Sequence, residues 1–296
     1  VCFSLVHIAP GDPITALTAG NAPQETVDEI KRAYGLDKPL PVQYVVWLGK
    51  LAHGDLGMSI SNGRPVAGEV AGAVVNTLII AITATVLAFT IGAALGTVAG
   101  YWQGTLLDRA ATTVGIFGVS VPHYWLGMVL VILFSVELGW LPALGIGPHG
   151  ASLRAWDMRD LAHVILPAVT MAVIPLGIIT RTVRAVVADI LGHEFVQALR
   201  AKGLGERRVF LHVLKNAAPT ALAVMGIQLG YLLGGSILVE TVFAWPGTGL
   251  MLNNAIFQRD IPLLQGTVLV LAMFFVFLNL LVDILQSIID PRIRRT

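Results

Sequence analysis

Charge is what this sequence has least of. Only 12% of its 296 residues are Asp, Glu, Lys or Arg, while 55% are hydrophobic, and the mean hydropathy is +0.78. A soluble domain carries about 25% charged residues, so half that supply leaves too little to build a water-facing skin, and lipid becomes the solvent. Cysteine is nearly missing: Cys2 stands alone, which excludes an internal disulfide and any cysteine-built metal centre. The seven histidines (His7, His53, His123, His149, His163, His193 and His212) form no HExxH or other close pair and predict no metal site. There is no GxxxxGK[ST] stretch, so the chain has no phosphate-binding loop of its own and is not expected to hydrolyse ATP itself. No convergent nucleophile, base or metal set points to an enzyme, and nothing points to nucleic acid.

What is present is a series of long apolar runs. A bilayer core needs about 20 apolar residues in a helix. The runs predict spanning helices at about 74–101, 110–136, 164–188, 216–240 and 261–288. Residues 1–9 (Val1–Ala9) are apolar but too short to span, and lack the basic start and cleavage motif of a signal peptide. They read as the outer end of a first helix truncated at its N-terminal end, which makes six helices in all. Residues 10–73 read as an extracytoplasmic segment, with a short amphipathic helix over Pro23–Leu36 and interfacial aromatics Tyr44 and Trp47 in Pro39–Gly57. Residues 74–296 form the transmembrane core. The polar Gly247–Arg259 stretch contains a helical pattern, LMLNNAIFQ.

Charge reappears in one place, the cytoplasmic loop 190–219. Placing that loop inside sets Arg109, Arg181, Arg184, Arg200, Lys202, Arg207, Arg208, Lys215, Arg292, Arg294 and Arg295 on the cytoplasmic face, with both termini there. Phe195, Val196 and Leu199 share one face of a short helix, Gly203 and Gly205 end it, and Phe210, Val213, Leu214 and Ala217 mark a second helix. Two readings stay open on these residues alone: a basic anchor on anionic lipid, or a rigid element docking on a cytoplasmic partner. A phosphate-binding role for the glycine turn is the weaker third.

The string FVQALRAKGLGERRVFLHVLKNAAP (Phe195–Pro219) resembles the coupling loop of bacterial ABC-importer permeases in its dipeptide, oligopeptide and nickel variant. HIAPGDP, LDKPLPVQYVVWL, HGDLGMS, GRPV, LDR, SVPHYWLG, LGWLPALG, ILPAVT, VETVFAWPGTG and LLVDILQSIIDPRIR follow the same family in order. The resemblance implies an all-α membrane protein, the six-helix transmembrane domain of a type I importer, in the bacterial inner membrane. It implies a second similar permease, two cytoplasmic ATPase subunits or domains that bind the ATP and Mg, and an extracytoplasmic binding protein. It assigns Phe195, Ala198, Leu199, Arg200, Ala201, Lys202, Gly203 and Leu204 to ATPase coupling, with Arg200 and Lys202 pairing to the partner, and Arg208, His212, Asn216 and Pro219 to the second loop helix. Gln197 and Leu199 depart from the glutamate and small alanine usual there.

Beyond the loop, Pro122 and Pro175 are expected kinks and Gln228 a polar residue inside a span. Glu240, at the outer end of the fifth helix, is a candidate for a structural hydrogen bond or for substrate contact. Gly226, Gly230, Gly234 and Gly235 suit close helix packing or a pore lining. Asp283 is expected to pair with a cytoplasmic arginine. Peptides are the expected cargo, with nickel chelates or glutathione as alternatives. A secondary carrier driven by ions is the rival of another class; it needs acids near the bilayer midplane, and the span interiors offer only neutrals such as Thr83, Gln228 and Asn279.

Overall fold

The computed structural model describes residues 37–150 and 157–289 together with Phe3, Glu25 and Arg32; side chains 233–235, 282, 283 and 285–289 are excepted. The expectations for Val1–Ala9, for the Pro23–Leu36 helix, and for Gly234, Gly235 and Asp283 lie outside these residues and side chains. Helix dominates, and among the described residues the sole β pairing is a bridge between Met58 and Pro65. The helices are α1 (Leu40–Ala52), α2 (Val66–Tyr101), α3 (Leu106–Ser120), α4 (His123–Leu130), α5 (Met158–Gly192), α6 (Glu194–Ala201), α7 (Glu206–Val242), α8 (Thr248–Phe257) and α9 (Ile261–Ile289). Two compact units emerge: Val1–Thr77 with Pro246–Phe274, and Leu78–Trp245 with Phe275–Thr296.

In the first unit the α2 helix starts eight residues ahead of its predicted 74. The cause is a small core in which Val66, Val70, Ala255 and Leu263 are buried, with Leu56 and Met251 against them. At 1.5 Å per residue the 36 residues of α2 reach about 54 Å, well beyond a hydrocarbon core of about 30 Å, so burial against protein sets its start rather than hydropathy. Asp260 organises the loop before it. Its carboxylate is buried and accepts from Ser59 Oγ (2.5 Å), Ser61 N (3.0 Å) and Ser61 Oγ (3.0 Å), while its other oxygen caps α9 at Leu263 N (3.1 Å). The helical pattern in Gly247–Arg259 is α8. On α1, Tyr44 stacks on Trp47 and Phe3 packs on both rings.

The second unit is built around α5, against which α3, α4 and α7 pack. Asp157 caps α5 in a reciprocal box with Asp160, and the helix runs unbroken through Pro167 and Pro175 to Gly192. Close backbone approach fixes its neighbours. A Cβ on Gly96 would lie 2.6 Å from the Thr180 carbonyl oxygen and 2.7 Å from Val183 Cβ, and one on Gly100 2.8 Å from both the Arg184 oxygen and Val187 Cβ. So α2 crosses α5 at positions where no side chain fits.

Two further spans differ from expectation. The predicted span 110–136 is not one rod: α3 ends at Ser120, Pro122 precedes α4, and α4 passes into a π-helical stretch, Val131–Glu137, the two arms being bent by 103°. Proline lacks the N–H the helix needs and drives the preceding residue to extended backbone, as Val121 shows with ψ 127, so the expected kink at Pro122 is a break. The predicted fifth span, 216–240, is the later part of α7, which begins at Glu206 and runs through Pro219. The second loop helix is therefore not separate from the span. Among the described residues, four helices are long and apolar enough to cross a membrane, or five with the bent pair taken as one span.

Replacing Gly96 with Ala should lower the thermal unfolding midpoint of the detergent-purified protein, because the overpacked crossing costs about 1–3 kcal/mol. Ala at Gly72, in the same helix with no positive φ and with nothing within 4 Å of its Cβ position, is the control for glycine chemistry away from the crossing.

Candidate functional site

The basic loop folds as a helix, a glycine turn and a second helix. Val196 is buried beneath α6 while Phe195, Ala198, Arg200, Ala201, Lys202 and Gly203 are exposed. The turn closes as a Schellman motif: Leu204 N–H donates to the Leu199 carbonyl (3.2 Å) and Gly203 N–H to that of Arg200 (2.9 Å). Gly203 sits at φ +78, where a side chain would be strained. Leu204 is half-buried, and Gly205 precedes α7 as its N-cap, its carbonyl accepting from Arg208 N (2.9 Å). The inward face of α7 is Val209, Val213 and Ala217: Val213 and Ala217 belong to the predicted face, Val209 joins them, and Phe210 and Leu214 are only half-buried. Arg208, His212 and Asn216 are exposed, Asn216 Nδ2 donates to the His212 carbonyl (2.8 Å), and Pro219 is half-buried inside α7.

Two ionic contacts lock this end. Arg200 grips Glu206 with two nitrogens, Nε to Oε1 at 2.9 Å and Nη2 to Oε2 at 3.3 Å. The Tyr101 hydroxyl at the end of α2 donates to the same Glu206 Oε2 (2.6 Å), and its ring meets Phe210 edge to face at 5.3 Å. The Glu206 carboxylate raises Arg200 above the ordinary guanidinium pKa. The expectation that Arg200 is available to a partner's acids therefore changes: its guanidinium is committed within the chain, and Lys202 remains the exposed cation of the turn. Further along, Arg184 of α5 grips Asp108 of α3 through Nε (2.5 Å) and Nη2 (2.9 Å); Gly104 N and Thr112 Oγ1 add donors to the same buried carboxylate. Beside this pair an open cavity of about 560 Å³ is lined by Thr112, Ile178, Arg181, Thr182, Arg184 and Ala185.

The other candidates are scattered. Pro122 caps α4. Gln228 is buried, and its Oε1 has no donor among the described residues. Glu240 is fully buried, and the chain turns just after it, the Trp245 N–H donating to the Glu240 carbonyl at 2.8 Å with Phe243 and Trp245 buried. A Cβ on Gly230 would meet Asn279 and Phe275 of α9 at 3.6 Å, a packing contact. Sequence reasoning missed Glu206, Tyr101 and Asp108, and also His149, Asp157 and Asp160, which converge within 4.8 Å. In that cluster the buried Asp160 accepts from His149 N (3.1 Å), His149 Nδ1 (2.8 Å) and Asp157 N (2.9 Å), pinning the loop before α5. An acid three residues into a helix after an Asp cap was the available signal for Asp160; for Glu206 and Tyr101, 105 residues apart, there was none.

Helices apolar and long enough to span a bilayer, with a short exposed helix between two of them, define a multi-pass membrane subunit. The chain belongs to the binding-protein-dependent transport system inner membrane components: that family's pattern matches residues 92–295, and the family of their N-terminal segments matches residues 1–68. It is thus an ABC-importer permease of the peptide and nickel group, a multi-pass protein of the inner membrane. Glutathione transport system permease proteins GsiC of Escherichia coli strain K12 and of Shigella dysenteriae serotype 1 are each 38% identical over 293 residues, 99% of this chain and 92% of theirs. The methionine ABC transporter MetNI in an inward-facing conformation is similar in fold, with TM-score 0.60 at 17% identity, over 75% of this chain and 96% of that one. The family membership displaces the ion-driven carrier.

Asp108→Ala should lower stability by up to about 3 kcal/mol, less than a fully buried pair because Arg184 is 34% exposed. Adding Arg184→Met should recover part of the loss, read as a shift in thermal midpoint and closed as a double-mutant cycle.

Proposed function

We propose that this permease imports short peptides and that α6 is its coupling helix, seated in a groove of a cytoplasmic ATPase. The observation that carries this reading is the one-sided burial of α6: Val196 anchors it, while Ala198, Ala201, Lys202 and Gly203 are left exposed on a helix closed by a tight turn. Small side chains allow a partner's backbone to approach, and Lys202 supplies a cation for its acids or carbonyls. A second, similar permease completes the pathway, a pair of ATPase subunits binds ATP and Mg, and an extracytoplasmic binding protein delivers the cargo. Both termini lie in the cytoplasm.

Alternating access needs a stiff connection more than chemistry. The continuity of α7 from Glu206 through Pro219 supports this, since a push on the inner helix end is passed along one rod into the membrane. The 38% identity to permeases named for glutathione favours a second reading of the cargo, a γ-linked tripeptide. Glutathione and peptides both carry carboxylates, and Arg181 in the open cavity has no ion-pair partner among the described residues, so it offers an anion contact on either reading.

Uptake of labelled di- to pentapeptides and of glutathione into proteoliposomes holding the whole complex tests the proposal. ATP-dependent uptake should appear and should vanish in Ala198→Glu, whose exposed position leaves folding intact. ATP-independent uptake, or uptake indifferent to Ala198→Glu, would contradict it. Competition between glutathione and peptides ranks the two cargoes.

A further inference from the structure

A lever with two glycines in it has a hinge. Gly203 and Gly205 flank Leu204 between α6 and α7, so α6 as a simple appendage would swing on its turn and dissipate any displacement imposed on it. Three side chains close that hinge. Arg200, in the last turn of α6, and Glu206, in the first turn of α7, bridge the glycine turn with two hydrogen bonds, and each charge has the sign its helix end favours. The same Glu206 carboxylate accepts from Tyr101, the last residue of α2. The Tyr101 ring is held edge to face between Phe210 at 5.3 Å and Trp102 at 5.2 Å, so the hydroxyl is aimed rather than free. Five residues back along α2, Gly96 and then Gly100 seat the helix on the α5 backbone, which fixes where Tyr101 can be.

We propose that Glu206 is the positioning residue of this lever: it locks α6 to α7 across Gly203 and, through the Tyr101 hydroxyl, carries displacement of α6 into α2. This rests on the reading of α6 as the coupling helix. The permease then has two routes from the ATPase into the membrane, the direct one along α7 and a lateral one through Tyr101 to α2 and, at the glycine crossing, to α5. The groups are exposed, Arg200 by 45% and Glu206 by 63%, so the lock adds little stability. It sets geometry, and its loss should be seen in coupling and not in folding.

The test uses the whole complex in proteoliposomes, with ATP hydrolysis and substrate uptake measured together. Glu206→Gln and Tyr101→Phe should leave the thermal midpoint, the co-purification of the ATPases and their hydrolysis near wild type, while substrate moved per ATP falls about fivefold or more. The paired exchange of Arg200→Glu with Glu206→Arg should recover uptake relative to Arg200→Glu alone. In parallel, spin labels on Gln103→Cys and Gln197→Cys, in a Cys2→Ser background, should keep one separation with and without ATP, and should split into two in Glu206→Gln. Unchanged uptake per ATP with a single label separation in Glu206→Gln overturns the inference. So does loss of uptake that follows loss of ATPase co-purification, since Arg200 and Glu206 would then be docking contacts. Absence of ATP-dependent uptake in the wild-type complex strikes the proposed function instead, and the label separations then decide the lock alone.

Discussion

The crossing of α2 on α5 is the constraint on which the packing around α5 in this permease depends. In lipid there is little hydrophobic gain from pressing two helices together, so association has to come from close van der Waals fit. Gly96 and Gly100 supply it by removing the side chain where the α5 carbonyls of Thr180 and Arg184 lie. On a neighbouring face α3 meets α5 in the same way, where a Cβ on Gly177 would fall 2.5 Å from the Gly115 oxygen. With α5 held by backbone contact on two sides, the residues that follow along each helix acquire fixed places, and Tyr101, Asp108 and Arg184 meet their partners as a consequence.

The ionisable groups obey a second constraint. A carboxylate removed from water needs several donors, and helix ends are where free N–H groups are available. Asp108, Asp160 and Asp260 each sit in the first turn of a helix or just before it, and each accepts from backbone N–H groups as well as side chains. Three acids are thereby spent on shaping loops. What remains away from these loops is a buried neutral, Gln228, and the open cavity where Arg181 stands beside the paired Arg184.

Much of this was legible in the amino-acid order because lipid makes a blunt demand. Apolar runs located the spans, and the basic string around Lys202 with its glycines located α6 and its turn. The edges were not legible where burial against protein replaced burial in lipid: Val66 and Val70 extend α2 past its apolar window because a core awaits them. The break at Pro122 was visible as a proline but not as a 103° bend, since a proline's effect depends on whether neighbours can hold the helix together. Arg200 was assigned to a partner because its acceptor, Glu206, lies beyond a turn whose direction hydropathy does not specify. Tyr101 had no local signal at all, since its role comes from a crossing more than 100 residues from its acceptor in sequence.

The account stands on α6 being the inner element that an ATPase grips. The most direct measurement is cysteine cross-linking in native membranes from a single Cys placed at Ala198, in a Cys2→Ser background, to the co-expressed ATPase. A cross-link to the ATPase whose yield changes on adding ATP, at a position protected from impermeant maleimide outside the cell, is the predicted result. Labelling of that cysteine from outside, or no cross-link in a complex that still transports, would contradict it.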